Sequence, residues 1–241
     1  MKRILAIGGG ELKIRETLEI DTYIAAEAKK AAGECRACGL FLPTASHDCM
    51  PYYNTFHKVY TGIFDIKTDV ALTVGREIDA GKMRAKFEKA DFLYVGGGNT
   101  VYMVEQWQKT GLLSYIRDAY ERGVLIAGLS AGAICWFDEM YTDSLIEGEY
   151  AVYPGLGWIR GKISPHYNEI MLDFDEIVLY NRFRAWGIEN NAALEIVDGE
   201  PVRTIGSGKV YVLDGSDGVS VKKTVWKTGD SNPFRLGDPA E

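Results

Sequence analysis

Apolar positions in the N-terminal half fall into short blocks separated by amphipathic stretches. Arg3-Ile7, Ala37-Leu42, Val70-Val74, Phe92-Val95 and Val124-Gly128 are brief runs rich in Val, Ile, Leu and Phe. Such runs fit strands buried on both faces. The intervening stretches have helical spacing. Ile20-Ala31 closes near Gly33, Tyr52-Tyr60 forms a second, and Arg84-Lys89 belongs to a third. Asn99 is placed to cap a helix reaching about Lys109, and Leu112-Glu121 is closed by Gly123. The alternation predicts an α/β fold with a doubly wound, mostly parallel sheet and ligands at the C-terminal strand edge.

Beyond His166 the spacing changes. Leu172-Trp186 reads as a helix, followed by strands at Ala193-Val197, Val202-Thr204 and Lys209-Leu213. Asp198-Gly199 and Ser207-Gly208 have the composition of hairpin turns, so C-terminal β-hairpins are expected. A last strand, Val219-Trp226, leads into a polar tail containing Pro and Gly. No repeat or linker interrupts the chain, and residues 1–241 read as one α/β domain.

The 241 residues are 46% hydrophobic and 25% charged, enough for a substantial core. A net charge of −7 without a basic stripe argues against nucleic-acid or membrane partners. Ile4-Leu5-Ala6-Ile7 is too short a run for a signal peptide, so a cytoplasmic location is expected. A homo-oligomer stays open. Cys35, Cys38, His47 and Cys49 superficially offer a zinc set. The strand between them would part the ends by ~20 Å, too far for one tetrahedral ion. No metal is expected, and the cysteines read as reduced thiols.

The chemistry starts at Gly128-Leu129-Ser130-Ala131-Gly132, a G-x-S-x-G directly after an apolar strand. That pattern lifts a serine hydroxyl onto a sharp strand-to-helix turn. Ser130 is therefore the candidate nucleophile, in need of a base. A second glycine-rich turn, Gly96-Gly97-Gly98-Asn99-Thr100, follows another strand. It lacks the lysine of a P-loop and the spacing of a dinucleotide turn. Beside Ser130 it fits an oxyanion hole, in which Gly97 and Gly98 act with the Ala131 N–H. Gly8-Gly9-Gly10 follows a strand too, and no role is assigned to it. The candidate bases are His47, His57 and His166. His57 lies in a helical pattern. His166 is preferred to His47 because Pro165 fixes the backbone just before it at the end of an extended stretch.

Gly96-Gly97-Gly98-Asn99-Thr100, Gly128-Leu129-Ser130-Ala131-Gly132-Ala133 and Ser164-Pro165-His166 together resemble the peptidase E (aspartyl dipeptidase) family of serine peptidases, to which cyanophycinase is related. The resemblance implies a class I glutamine amidotransferase-like, flavodoxin-like fold. It also implies a small-peptide substrate, no cofactor, Ser130 as nucleophile and His166 as base. The family's third triad member is a glutamate in a Gly-x-x-Glu turn. Here the turn reads Gly187-Ile188-Glu189-Asn190, so Asn190 holds the matching place and Glu189 comes one residue early. Glu189 is favoured for its charge, with Asn190 as the alternative. The family's substrate-binding arginine aligns near Leu179 or Tyr180. Arg182 and Arg184 lie close by as substrate ligands or as partners of Asp175 or Glu176. Asp143 resembles an acidic residue that could hold a substrate amine, and Asn99 joins the substrate-binding set. Tyr150, Tyr153 and Trp158 either line a pocket or pack together. The expected activity is dipeptide hydrolysis through an acyl-enzyme. The alternatives are a non-catalytic binding relative or a small-metabolite amidase or esterase.

Overall fold

In the computed structural model, which describes residues 1–234 apart from Arg76 and Glu147, two mixed sheets share one core. The end of the polar tail lies outside the described residues. The first five strands are β1 (Arg3–Ile7), β2 (Cys38–Leu42), β3 (Lys67–Val70), β4 (Phe92–Val95) and β5 (Leu125–Leu129). They pair in parallel in the order β1-β5-β4-β2-β3. β10 (Ala192–Val197) and β11 (Glu200–Gly206) extend this sheet antiparallel on the β1 side. The Asp198-Gly199 turn joins them with positive φ at both residues, 51° and 85°.

Helices α1 (Leu18–Ala32), α2 (Met50–Gly62), α3 (Ala80–Lys89), α4 (Thr100–Thr110) and α5 (Leu112–Glu121) lie close to their expected places. Strand side chains alternate between two clusters, as a two-sided sheet requires. Ile4 and Ala6 join one cluster, while Leu5 and Ile7 join the other.

The second sheet departs from expectation. β6 (Phe137–Ile146), β7 (Glu149–Pro154) and β8 (Ile159–Ser164) precede α7 (Tyr167–Tyr180). They pair with β9 (Arg184–Ile188), β12 (Val210–Asp214) and β13 (Lys222–Trp226) in the order β13-β12-β9-β8-β6-β7. The helix expected over Leu172-Trp186 therefore splits into a helix and a strand. Arg182 takes a left-handed φ of 54°. Beyond it Ala185 packs towards α7, while Trp186 and Ile188 turn to the shared core. That period of two is a strand's. Ser207-Gly208 is no hairpin turn either: it carries the chain from β11 in one sheet to β12 in the other. Tyr150 stacks on Tyr141 at 5.2 Å and Trp158 on Tyr120 at 5.1 Å, so these two rings pack. Tyr153 also packs against the core.

Asp21 is buried in α1, accepting from Thr17 Oγ1 at 2.7 Å and Tyr60 Oη at 2.8 Å. Burial pushes its carboxyl up to about 6. A carboxylate pKa raised by folding gives stability that is complete in acid and is lost as pH climbs from about 4 to 6. Asp21→Asn, which keeps an acceptor for Tyr60, is expected to flatten this dependence. At pH 8 it should gain up to about 3 kcal/mol in urea unfolding.

Candidate active site

Ser130 occupies a sharp turn between β5 and the short α6 (Ala131–Ile134), with φ 51° and ψ −108°. Its two flanking glycines are required by close backbone contact. A Cβ on Gly128 would lie 1.8 Å from Gly132 O, and one on Gly132 would lie 2.4 Å from Val95 O. Trp136, fully buried, donates from Nε1 to Gly132 O at 2.7 Å and stacks on Trp107. A strained backbone thus rests on a rigid, dry support.

His166 directly precedes α7 and is also left-handed, with φ 48°. Its Nε2 lies 2.8 Å from Ser130 Oγ, and its Nδ1 lies 2.7 Å from Asn190 Oδ1. The structure thereby gives the place next to the imidazole to Asn190 and corrects the preference for Glu189. Glu189 belongs to the β9 end, where its carboxylate accepts from the Lys209 N–H at 2.8 Å and its own N–H donates to Lys209 O. One residue of shift along an extended chain turns a side chain to the opposite side.

One stretch holds Ser130, His166 and the neighbour of Asn190. Ile7 O accepts from Ser130 N, Gly8 O from His166 N and Gly9 O from Asn191 N, at 2.9, 2.9 and 3.0 Å. This gives the unassigned Gly8-Gly9-Gly10 run its role. A Cβ on Gly9 would lie 2.1 Å from Asn190 Oδ1 and 2.4 Å from His166 Nδ1. Glycines after β1 were the signal, but their contacts are with residues far along the chain.

Ser130, His166, Gly97 and Gly98 line a cleft of about 480 Å³. Its other walls include Glu11, Lys13 and Tyr52, none of which the sequence had singled out. Gly97 lies against the elbow: a Cβ there would be 3.5 Å from Ser130 Cβ. Its N–H donates to Tyr52 Oη at 3.3 Å, and burial pushes that phenol up to about 12. Ala131 opens α6, where helical geometry leaves the N–H without an intrahelical acceptor.

The other candidates go elsewhere. Asn99 caps α4 by accepting from Tyr102 N at 2.8 Å and donates to Ser144 O at 2.7 Å. Arg184 pairs with Asp214 at 2.9 Å, and Asp175 pairs with Lys223. Arg182 borders a separate groove at the end of α7. Asp143 lies on β6, and its charge adds to the burial that raises the Tyr150 phenol above its usual range. None of these four lines the cleft around Ser130. His47 packs its ring on Tyr102, and His57 bonds Thr68 Oγ1. All four cysteines are free, and no metal-binding cluster occurs among the described residues.

Residues 4–204 match peptidase family S51. The chain belongs to that family. It is thus a serine-type peptidase. A relative, the uncharacterized peptidase YgaJ of Bacillus subtilis (strain 168), is 32% identical over 213 residues, covering 86% of this chain and 88% of that protein. Peptidase E of Escherichia coli O1:K1 / APEC is 47% identical over 49 residues, 20% of this chain and 21% of that one. The crystal structure of a peptidase from an acI-B1 actinobacterium superposes with a TM-score of 0.73 at 19% identity. It covers 96% of both chains, a likeness of fold.

Proposed function

We propose that this S51 peptidase hydrolyses dipeptides and similarly small peptides through an acyl-enzyme on Ser130. The observation that carries the reading is the continuous Ser130 Oγ, His166, Asn190 hydrogen-bonded chain opening into the cleft. With Asn190 Oδ1 accepting from Nδ1–H, the His166 Nε2 lone pair faces the serine hydroxyl. His166 takes that proton as Oγ attacks the peptide carbonyl. The developing oxyanion meets the N–H groups of Ala131 and Gly98, each donor worth about 3 kcal/mol, while the Gly97 N–H is taken by Tyr52 Oη. His166 then passes the proton to the leaving amine. Water, activated by the same imidazole, releases the acid.

The cleft volume of about 480 Å³ suits a small ligand. Glu11 and Lys13 on its wall offer one charge of each sign to the ammonium and carboxylate ends of a dipeptide. With Arg182 and Arg184 away from the cleft, a strict preference for aspartate is not part of the proposal. The class I glutamine amidotransferase-like kinship of the parallel sheet belongs to it, as do a single catalytic domain and a cytoplasmic setting. Exposed free thiols at Cys35 and Cys49 support a reducing compartment. Among the described residues no helix is long and apolar enough to cross a membrane.

The test is a panel of Asp-X, other X-X and isoAsp dipeptides with ester controls, run beside a fluorophosphonate probe. Turnover of dipeptides together with probe mass on Ser130 is the expected result. Turnover of esters or amides alone would make the protein a metabolite hydrolase. Neither turnover nor labelling would make it a binding relative.

A further inference from the structure

An asparagine in the third position has two different ends, where a carboxylate has two equivalent ones. Turned one way, Asn190 presents Oδ1 to His166 Nδ1 and accepts a proton; turned the other, it presents Nδ2 and donates. Only the first suits Ser130. It keeps the ring proton on Nδ1 and leaves Nε2 free to accept from the hydroxyl. The reverse puts the ring proton on Nε2, facing Oγ. Some other group must therefore choose between the two orientations.

Glu169 makes that choice. Its Oε1 accepts from Asn190 Nδ2 at 2.5 Å, on the side of the amide away from the imidazole. An ionised carboxylate accepts and does not donate, so it admits only the NH₂ end. The adjoining Asn168 accepts from the Asn190 backbone N–H through Oδ1 at 2.7 Å. Both come from the first turn of α7, immediately after His166, so one helical turn carries the base and grips the residue that orients it.

We propose that Glu169 is a positioning residue. It fixes the orientation of the Asn190 amide, and through it the Nδ1–H tautomer of His166. One bond further out it also supplies the negative charge that an amide lacks. Glu169 is exposed, so the effect runs through the oriented hydrogen bonds more than through bare Coulomb attraction. The inference rests on the serine-peptidase reading of the site, but its direct readout needs no turnover.

The experiment is ¹⁵N NMR of the full chain labelled at histidine, with the ring neutral. Wild-type His166 is expected to show the Nδ1–H tautomer, and Glu169→Ala a mixture with Nε2–H. In parallel, Glu169→Ala and Glu169→Gln should lower kcat by about 10- to 100-fold with KM little changed, the usual scale for a partner that orients a site residue. Asn190→Asp offers no wrong orientation, so in that background Glu169→Ala should cost less than about threefold, a coupled pair in a double-mutant cycle. Unchanged tautomer populations, or equal losses in both backgrounds, would overturn the proposal. A wild-type protein that neither labels nor turns over would sink the peptidase mechanism instead, and the tautomer measurement would still decide the part played by Glu169.

Discussion

Ser130→Ala is expected to lower kcat on the best dipeptide by about a million-fold, the scale seen when a serine nucleophile is removed. The hydroxyl is the group that forms the acyl bond, and no second nucleophile stands beside His166 Nε2 in the described site. What remains should come from the N–H donors and the cleft, roughly 10³ to 10⁴ over water. Folding should be nearly untouched, because alanine inherits the same left-handed turn and the same Ile7 O hydrogen bond. Unfolding free energy should stay within about 0.5 kcal/mol of wild type. Steady-state kinetics, intact mass after probe treatment and urea unfolding together check this. A variant that keeps more than about 1% of wild-type turnover would rule out Ser130 as the attacking group.

Gly9→Ala should have the next largest effect, although Gly9 contributes no side chain. Its new methyl would need the space of Asn190 Oδ1 and His166 Nδ1, at 2.1 and 2.4 Å. Contacts that short cannot be absorbed in place, so the imidazole or the asparagine must move. A misplacement of about 1 Å at reacting atoms costs on the order of 100-fold. The backbone carbonyl of Gly9 also holds Asn191, so the loop carrying Asn190 should shift with it. Turnover should fall by at least about 100-fold while far-ultraviolet circular dichroism stays unchanged. Gly62→Ala, at the end of α2 with no atom within 4 Å of the added carbon, is the control and should be neutral or slightly stabilising. Gly9→Ala with near-normal kcat would mean that the His166–Asn190 pair does not set the rate.

Much of the first sheet was legible because its signals are local. Arg3–Ile7 and Phe92–Val95 are strands with the bounds that their apolar runs mark, and Leu112–Glu121 is the expected helix. The elbow around Ser130 was legible for the same reason: its glycines answer contacts within a few residues and one neighbouring strand. β6 to β8 were not legible. Phe137–Ile146 mixes exposed and buried positions, and its pairing with β8 is parallel and broken by a bulge, so no clean alternation marks it. Val70-Val74 was placed late because β3 is an edge strand of polar, exposed or half-buried residues, Lys67-Thr68-Asp69, that carries no apolar run to mark it.

The site divides along the same line. Residue types and their order along the chain determined a glycine loop, then a serine on a strand-to-helix turn, then a histidine after an extended stretch. Tertiary structure alone decided that Asn190, not Glu189, meets the imidazole, that Glu169 accepts from the Asn190 amide, and that Gly9 leaves the pair its room. The reason is physical. Short-range sterics write themselves into neighbouring residues, whereas the facing of two side chains across a sheet edge depends on register, and register is fixed only when the strands pair.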